Sequence, residues 1–510
     1  MSDFDLLVKN GTIVTMDGSL SWKRWMGVKD GKIAALGDTD DCSGCNAGRV
    51  IDLEGKTVMP GLFETHVHSA LTGLGWNGMD FTGVKTSKDV LEIVEAFCAK
   101  DPSDQMVYGC NMDLPHQMED KRVPTKEELD RVSGNHPVMI LFWTVHGGIT
   151  NTKGCDLANL TPEMEFVRKD GYFNEDWVSS HIIAELLGQF SDDVYKDIFR
   201  RVAAQYASRG VTTVHSLDGM WVKDDKDSEI LVNMRDELPI EFIPFIQTFD
   251  IEKVKRLGLK QIGGCLPIDG SPPQLTAAYW EPYREAPHTR GFLCYTDKEL
   301  YDFVTACTKE GIQCTFHAIG ERAIDQLIYI YQQVDREIGI RHLRHRIEHF
   351  SMPPHERAYE MVKEMNIPLA MQPAISNMLD TNEFSIFATQ VSDEKALIHE
   401  NAANAVKKGL TVIGGCDGPV TPLDSYWGIN ASAHPHKEYR RMSLDDAIKL
   451  FTTNAAWACH EENRLGSLEV GKDADFAIID RNLYEMGDDE DLASIVVHET
   501  FKTGKSIFKL

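Results

Sequence analysis

The amino-acid sequence predicts an α/β protein built on a (β/α)8 barrel of the TIM type, and two observations point to this fold class. Short apolar segments recur along the chain, and most are followed by an amphipathic stretch of helical periodicity. The length of 510 residues leaves room for one barrel of ~250 residues or more together with smaller appendages. The segments predicted as barrel strands are 61–68, 211–216, 241–247, 261–269, 312–318, 344–350, 367–373 and 410–417.

Both ends of the chain carry short strands separated by turns, with alternating apolar and polar residues. Residues 1–58 contain Lys-Asn-Gly and Lys-Asp-Gly at positions typical of hairpin turns, and residues 460–510 return to the same alternation. We therefore expect 1–58 and 460–510 to form one composite β-sandwich domain, with the barrel in 59–459.

A long interval separates the first two predicted barrel strands. Residues 69–210 contain strand-like and helix-like segments of their own. Because a connection of this length carries structure, we predict 69–195 as an inserted subdomain over the barrel mouth, where loops build active sites.

The charge balance excludes two classes of partner. Lys and Arg number 52 and Asp and Glu number 79, which gives a formal net charge of −27 at pH 7. Nucleic acids and anionic membranes bind clustered basic surface, so neither is expected as a partner. No run of about 18 apolar residues is present, and the acidic, alternating N-terminus is unlike a secretory signal.

The eleven cysteines are scattered and odd in number. Disulfide frameworks belong to short chains with dense cysteines, so this pattern predicts reduced thiols in a cytoplasmic protein. Cys42 and Cys45 form a lone Cys-x-x-Cys pair, which we interpret as a loop near a turn.

Metal-binding side chains stand at the ends of four predicted strands. His66 and His68 lie two positions apart at the end of the first strand, so their imidazoles point the same way. His317, His349 and Asp417 end the fifth, sixth and eighth strands. The carboxyl ends of barrel strands share one rim, and imidazole and carboxylate groups suit Zn²⁺ and similar divalent ions. These five residues therefore predict a metal site.

The same region contains six stretches whose order and spacing are specific: PGLFETHVHS, GVTTVHS, TFHAIGERAIDQ, RHRIEHF, GCDGPVTPLDS and GSLEVGKDADFAIID. They resemble the amidohydrolase superfamily, and more closely its amidohydrolase-3 branch, which includes N-substituted formamide deformylases. The resemblance implies a metal-bearing (β/α)8 barrel, a composite β domain from both termini, and hydrolysis of amide-like bonds. It also puts the five residues above on metal-ligand positions.

A sixth ligand position lies on the fourth predicted strand. Relatives resemble Val-Lys-Ile-Phe-Ala-Asp-Gly-Ser there, and that Lys, typically carboxylated elsewhere in the superfamily, bridges two metals. This sequence reads Gly-Cys-Leu-Pro-Ile-Asp-Gly-Ser over 264–271, which places Cys265 where the Lys would be. A thiolate can ligate or bridge Zn²⁺, and D-aminoacylases resemble this solution. The alternative is that Cys265 is a small buried hydrophobic residue and that one metal binds.

The ligand set predicts the chemistry of the site. A bound metal lowers the pKa of a coordinated water towards ~7 and so supplies hydroxide at neutral pH. We expect Asp417 to accept the water proton and pass it to the leaving nitrogen, while the metal polarises the substrate carbonyl.

His146 is the second predicted catalytic residue. It lies in TVHGGITNTKG, which resembles the Asp-Gly-His-x-x-x-x-Asn stretch of relatives; His146 and Asn151 match, whereas Thr144 and Val145 depart. Two roles stay open for His146: it contacts or orients the substrate carbonyl, or it is structural.

Other positions are assigned supporting roles. His215 either faces the site or fills the core. Arg346 and Glu348 are expected to form a buried ion pair beneath the ligand strand, and Glu321 is placed to orient His317. Trp76, Trp143, Tyr279 and Trp280 lie in predicted mouth loops, where they either line an apolar substrate pocket or pack the inserted subdomain.

The sequence therefore predicts a cytoplasmic metal-dependent hydrolase that cleaves an amide-type C–N bond of a small N-acyl or N-formyl compound. The expected cofactor is one or two Zn²⁺ ions, with Mn²⁺ or Fe²⁺ as alternatives. An ester, cyclic amide or carbamate is the alternative substrate, because carbonyl activation is common to all of them. A catalytically silent metal-binding protein is the rival from another class. The expected partner is a small-molecule substrate, and family habit suggests a homodimer.

Overall fold

The structure, a computed structural model, describes residues 3–174, 176–381 and 385–510. Its β-strands are β1 Phe4–Val14, β2 Trp22–Lys29, β3 Lys32–Gly37, β4 Ala47–Asp52, β5 Thr57–Pro60, β6 Leu62–Val67, β7 Met79–Asp80, β8 Val107–Met112, β9 Val138–Phe142, β10 Gly148–Thr150, β11 Tyr172–Phe173, β12 Val211–Ser216, β13 Glu241–Pro244, β14 Gln261–Ile262, β15 Gln313–Ala318, β16 Arg346–His349, β17 Leu369–Met371, β18 Val412–Gly414, β19 Phe476–Ile479, β20 Val497–Lys502 and β21 Lys505–Lys509.

The α-helices connect and cover these strands, and the predicted α/β class is confirmed. They are α1 Ser69–Gly75, α2 Ser87–Cys98, α3 Lys126–Val132, α4 Thr152–Leu157, α5 Glu165–Asp170, α6 Asp176–Leu187, α7 Asp192–Ser208, α8 Lys226–Met234, α9 Ile251–Arg256, α10 Asp297–Lys309, α11 Glu321–Ile338, α12 Glu356–Glu364, α13 Pro373–Leu379, α14 Ile386–Gln390, α15 Asp393–Ile398, α16 Ala402–Lys407, α17 Ser425–Ala433, α18 Leu444–Leu450 and α19 Thr453–Ala458.

Eight parallel strands follow one another in chain order around a ring, which we call the strand ring. One sheet has the order β13-β12-β6 and another the order β14-β15-β16-β17-β18. Parallel bridges between Ile246 and Ile262 and between Val67 and Gly418 connect the two sheets at both edges. The strands β6, β12 and β15 are buried along their whole length, as expected for parallel strands covered on both faces.

Each of the eight predicted strand segments contains one strand of the ring, but several strands are shorter than predicted. The expected strand 261–269 ends at Ile262. Gly263 and Gly264 have φ values of 97° and 51°, and Leu266 N donates to Gly263 O at 2.9 Å, so the chain turns there. Cys265 therefore lies on a turn beyond β14 and not within a strand.

The two chain termini share one mixed sheet. Its order is β21-β20-β19-β5-β1-β2-β3, with β4 also paired to β1. All eight strands are hydrogen-bonded within this single sheet, and the Phe476 and Phe501 rings stack with centroids 4.4 Å apart in its core.

A further sheet lies within the long connection between β6 and β12. It has the order β11-β10-β9-β8-β7 and its own hydrophobic cluster, which includes Phe81, Ile140 and Phe142. The helix α3 begins at a capping box, in which Thr125 Oγ1 accepts from Glu128 N and the Glu128 carboxylate accepts from Thr125 N.

All eleven cysteines are among the described residues, and no disulfide joins any of them. Cys45 N donates to Cys42 O at 2.9 Å, which makes this pair part of a tight turn. In the described part of the chain, no helix combines the length and apolar character needed to cross a membrane.

A cluster of charges joins the strand ring to the terminal sheet. Glu241, at the start of β13, contacts Arg464 at 2.6 Å and Lys502 at 2.8 Å, and Lys502 also contacts Asp475 at 2.6 Å. Burial raises the pKa of the Glu241 carboxyl, but Lys502 and Arg464 outweigh burial and bring it to about 2.

We expect the Glu241→Gln variant to unfold at a lower temperature than the wild type, because Arg464 and Lys502 lose a charged acceptor. The free energy of unfolding should fall by about 1–3 kcal/mol. The folded pKa lies below the unfolded value of 4.5, so the stabilisation is fully present above pH 4.5 and is lost as the pH falls towards 2. Thermal unfolding between pH 3 and 8 measures this. The exposed Glu237→Gln variant is the control, and an equal Tm difference between Glu241→Gln and wild type at pH 3 and pH 7 would contradict the assignment.

Candidate metal centre

The six predicted ligands lie together at the carboxyl ends of the ring strands. His66 is the second-last residue of β6 and His68 follows the strand, while His317 and His349 lie at the ends of β15 and β16. The other two donors stand on loops, because Cys265 follows β14 and Asp417 follows β18. All six are buried, and even Asp417 is only 9% exposed.

One group of donors comes from the end of β6 and from the loop after β18. His66 Nε2 lies 3.2 Å and His68 Nε2 3.4 Å from the same oxygen, Asp417 Oδ1. The ligand atoms of these three residues all lie within 4.8 Å of one another. His66 Nε2 is buried and makes no hydrogen bond of good geometry with any described residue, despite its closeness to Asp417. A cation between these atoms would satisfy that nitrogen.

A second group shares His66 with the first. The ligand atoms of His66, Cys265 and His349 also lie within 4.8 Å of one another. Cys265 Sγ lies 3.6 Å from His349 Nε2 and 3.6 Å from His317 Nδ1. The thiol therefore stands among three imidazoles, which is an environment suited to a thiolate ligand of zinc.

Each of the four imidazoles donates one N–H to a fixed acceptor, and its other nitrogen faces the donor group. Such contacts set the tautomer and the ring orientation of metal-binding histidines. The donations run from His66 Nδ1 to Glu348 (2.6 Å), His68 Nδ1 to Leu217 O (2.7 Å), His349 Nδ1 to Gln372 Oε1 (2.8 Å) and His317 Nε2 to Gly270 O (3.2 Å).

The electrostatics of the group favour anionic thiol and carboxyl groups. Burial raises the pKa of Cys265 and of Asp417, but neighbouring imidazoles outweigh burial and lower both values well below normal. Conversely, burial lowers the pKa of His68, and Asp417 and Cys265 raise it to about 10; the pKa of His66 is also raised well above normal. Two buried anionic donors thus require positive charge beside them, which a divalent cation supplies.

The expected ion pair beneath the ligand strand is present. Arg346 Nε lies 2.9 Å from Glu348 Oε1, and both side chains are fully buried. Because Glu348 also accepts from His66 Nδ1 and from Thr315 Oγ1, the carboxylate holds the His66 imidazole in place. The contacts from Arg346 to Glu348 and from Glu348 to His66 therefore restrict rotation of the His66 ring.

His215 packs in the core beneath this layer. It is fully buried, its ring lies between Phe63 and Phe245, and its Nδ1 lies 3.0 Å from Arg346 Nη1. Burial and then Arg346 lower the pKa of His215 well below normal, so the ring is neutral. Of its two predicted roles, the structure shows the core position.

The backbone is strained where two ligands leave their strands. His349 has a φ of 72° and Asp417 a φ of 53°, in the left-handed region that non-glycine residues rarely adopt. Such conformations cost about 1–3 kcal/mol and persist only where the surroundings impose them. They turn both side chains towards the donor group.

His146 lies next to the donors without belonging to either group. Its ring centroid is 5.4 Å from that of His317, and its carbonyl accepts from Ser179 Oγ at 2.8 Å. Asn151 is structural: its side chain caps α4 by accepting from Gly154 N.

Glu321 does not contact His317, contrary to expectation. Its carboxylate accepts from Trp280 N at 3.0 Å and pairs with Lys395 at 2.9 Å. Among the described residues, the carboxylate within 4.0 Å of His317 is Asp269, 3.7 Å from Nε2. Glu321 is the first residue of α11, and its carboxylate faces Lys395. Asp269, on the loop after β14, lies beside His317 instead.

The tertiary structure adds supporting residues that the sequence analysis did not identify. Glu64 accepts from His66 N at 2.8 Å and from Cys416 N at 3.0 Å, which connects β6 to the loop that carries Asp417. Burial raises the pKa of Glu64 to about 7. The position of Glu64 two residues before His66 was a signal in the sequence for this role. No sequence pattern pointed to Gln372, the acceptor for His349.

The predicted aromatic residues separate in space. Trp76 and Trp143 line a cavity of about 830 Å³ between α1, the inserted sheet and the loop 419–423 that follows Asp417. Tyr279 is instead buried with its hydroxyl 2.9 Å from His399 Nε2, and Trp280 is exposed. None of the six donors lines the cavity, but residues that come shortly after His68 and after Asp417 in the chain do.

Comparisons with known proteins agree with this geometry. The sequence profile of the Amidohydrolase family matches residues 49–508. Protein LONG AFTER FAR-RED 3 of Arabidopsis thaliana is 26% identical over 99% of this chain and 91% of its own length. The N-substituted formamide deformylase of Arthrobacter pascens is 24% identical over 98% of this chain and 97% of its own length.

Among solved structures, an uncharacterized metal-dependent hydrolase from Pyrococcus furiosus superposes with a TM-score of 0.74 at 25% identity, covering 94% of this chain and 99% of that chain. The similarity supports an amidohydrolase fold and a divalent metal. The predicted resemblance is confirmed. The chain therefore belongs to the amidohydrolase family, in its amidohydrolase-3 branch, and is an enzyme that acts on carbon–nitrogen bonds.

Proposed function

We propose that this enzyme uses Zn²⁺ to hydrolyse the amide bond of a small N-acyl or N-formyl compound. The observation that carries the proposal is the convergence of two donor groups on His66, one with a carboxylate and one with a thiol. The reaction named for the relative from Arthrobacter pascens, removal of a formyl group from an N-substituted formamide, supports this substrate class.

The proposed architecture follows the strand pairing. We interpret the strand ring as a (β/α)8 barrel of the TIM type within 59–459, with 1–58 and 460–510 as the composite β domain and 69–195 as the inserted subdomain. The homodimer and the cytoplasmic location remain predictions from the sequence.

The donor set fits zinc better than a hard cation. Imidazole and thiolate ligands are preferred by Zn²⁺, whereas Mg²⁺ and Ca²⁺ prefer oxygen ligands. The first group offers His66, His68 and Asp417, and the second offers His66, Cys265 and His349, with His317 beside Cys265. We propose that these six residues would hold two ions, with Cys265 supplying a thiolate ligand; Mn²⁺ and Fe²⁺ remain alternatives.

When bound, the metal supplies Lewis acidity, which activates water near neutral pH and polarises the substrate carbonyl. Asp417 Oδ1 faces His66 and His68, and the carboxylate is the proposed acceptor of the water proton and its donor to the leaving nitrogen. His146, beside His317, is proposed to orient the substrate carbonyl. Trp76 and Trp143 offer an apolar wall for the substrate in the larger cavity.

We expect the zinc-loaded protein to hydrolyse N-formyl or N-acetyl amines, to lose activity with a chelator and to regain it with Zn²⁺. In the Asp417→Asn variant, kcat falls by about 10²–10⁴-fold because the proton acceptor is lost. The assay uses a panel of N-acyl amines, esters, cyclic amides and carbamates, with metal content measured for every sample. If only esters are turned over, the substrate is an ester and not an amide. If nothing is turned over at full metal loading, the result favours a catalytically silent metal-binding protein. Near-normal turnover of metal-loaded Asp417→Asn would refute the role of Asp417.

We expect the Cys265→Ala variant to bind fewer metal ions per chain than the wild type, because the thiolate of the second group is removed. Elemental analysis after dialysis measures the ratio. The control is Cys459→Ala, which removes another buried thiol whose Sγ contacts Ala455 O. Unchanged stoichiometry and activity in Cys265→Ala would show that this residue is only a buried hydrophobic residue.

We expect the Glu348→Gln variant to bind zinc about 10–100-fold more weakly, because His66 loses its charged hydrogen-bond acceptor. Competition with a chromophoric chelator measures the affinity. The Glu462→Gln variant, which breaks an ion pair with Arg344 away from the site, serves as the control. Equal zinc affinity in Glu348→Gln and wild type would show that the ion pair does not position the ligand.

A further inference from the structure

We propose that a second cavity, next to Cys265, is a substrate subsite that binds an uncleaved neutral amide group, and that Gln247 recognises this group. The proposal rests on the proposed function, since it assigns a place to the part of the substrate that does not react. It narrows the substrate class to N-acyl or N-formyl compounds that carry a further carboxamide.

The cavity lies at the carboxyl ends of neighbouring ring strands, on the same side as the metal donors. Its volume is about 390 Å³, and its walls follow β12, β13 and β14 and include part of α6. The residues that matter here are Met220, Gln247, Thr248, Phe249, Leu266 and Tyr295.

The cavity adjoins the donor group through the turn that carries Cys265. Leu266, the next residue, lines it. Gln247 lies against the residue before Cys265, because a Cβ added at Gly264 would stand 2.6 Å from Gln247 Cγ. The residues on both sides of Cys265 in the chain therefore border the cavity or Gln247, which is the basis for assigning the cavity to the same substrate.

Gln247 is held by its backbone but not by its side chain. Its N–H donates to Asp218 O at 2.8 Å, and a bridge pairs it with Gly219. The residue is 1% exposed, yet neither its Oε1 nor its Nε2 makes a hydrogen bond with any described residue. Buried polar groups are nearly always hydrogen-bonded, and leaving one unmade is costly. A ligand that both donates and accepts would satisfy both atoms.

The charges of the cavity favour a neutral ligand. Lys223 is paired with Glu185 at 2.9 Å, and Asp225 lies 3.4 Å from Lys253. The remaining acidic residue of the lining, Asp224, repels a carboxylate. A neutral carboxamide presents the acceptor and donor that the Gln247 amide requires, and Met220, Phe249 and Leu266 offer apolar contact to its hydrocarbon part.

The test compares two formamides that differ in the carboxamide alone, N-formylphenylalaninamide and N-(2-phenylethyl)formamide, with zinc-loaded protein. In the wild type we expect kcat/KM to favour the carboxamide about tenfold or more, chiefly through KM, as the loss of a pair of hydrogen bonds predicts. In Gln247→Leu this ratio falls towards one, while Tm is equal or higher because the removed amide is buried and makes no hydrogen bond with any residue that the structure describes. The Gln333→Ala variant, on α11, keeps the wild-type ratio. A ratio that is unchanged in Gln247→Leu would overturn the subsite.

A second measurement separates failure of the subsite from failure of the proposed reaction. Titration calorimetry follows the binding of 3-phenylpropanamide and of 3-phenylpropanoate to wild type, Gln247→Leu and Met220→Trp, the last of which fills the cavity without altering Gln247. Binding of the amide to wild type alone supports the subsite, even if neither formamide is hydrolysed, in which case only the proposed reaction fails. Equal binding of the amide to all three proteins, or tighter binding of the carboxylate, overturns the subsite.

Discussion

The structure depends on the balance of charge within one buried group of donors. Cys265 and Asp417 lie almost wholly buried among four imidazoles, and burial disfavours any uncompensated charge there. The lowered pKa values of the thiol and the carboxyl, and the raised values at His66 and His68, express the same demand for positive charge. A divalent cation meets that demand with fewer protons, which links metal binding to pH.

The strand ring holds the imidazoles in fixed orientations, because each ring donates a hydrogen bond from the nitrogen that points away from the donor group. Glu348 and Gln372 come from neighbouring strands, and the acceptor for His68 is the carbonyl of Leu217. Since these acceptors belong to strand ends or to residues beside them, the donor geometry is set by the most rigid part of the fold. The two cavities are lined largely by loops around it, where residues can vary without disturbing the predicted ligands.

Local pattern was sufficient for the strands and the donors, and insufficient for what surrounds them. The eight segments of the ring and the spacing of His66 and His68 are properties of short stretches. The turn at Gly263 and Gly264, in contrast, ends β14 early in a place where any side chain would meet residues distant in sequence, Thr315 at Gly263 and Phe245 at Gly264. The expected role of Glu321 was wrong because helix direction, which no short stretch reveals, turns its carboxylate towards Lys395.

By itself, the sequence determined the α/β class and five of the six residues that meet at the rim, because periodicity and motif spacing are encoded locally; the resemblance to the family added Cys265. Only the tertiary structure decided which groups hydrogen-bond the predicted ligands, that His215 is a neutral core residue, and that the buried Gln247 amide has no hydrogen-bond partner among the described residues. These depend on contacts between strands far apart in the chain, and such contacts exist only once the ring has closed.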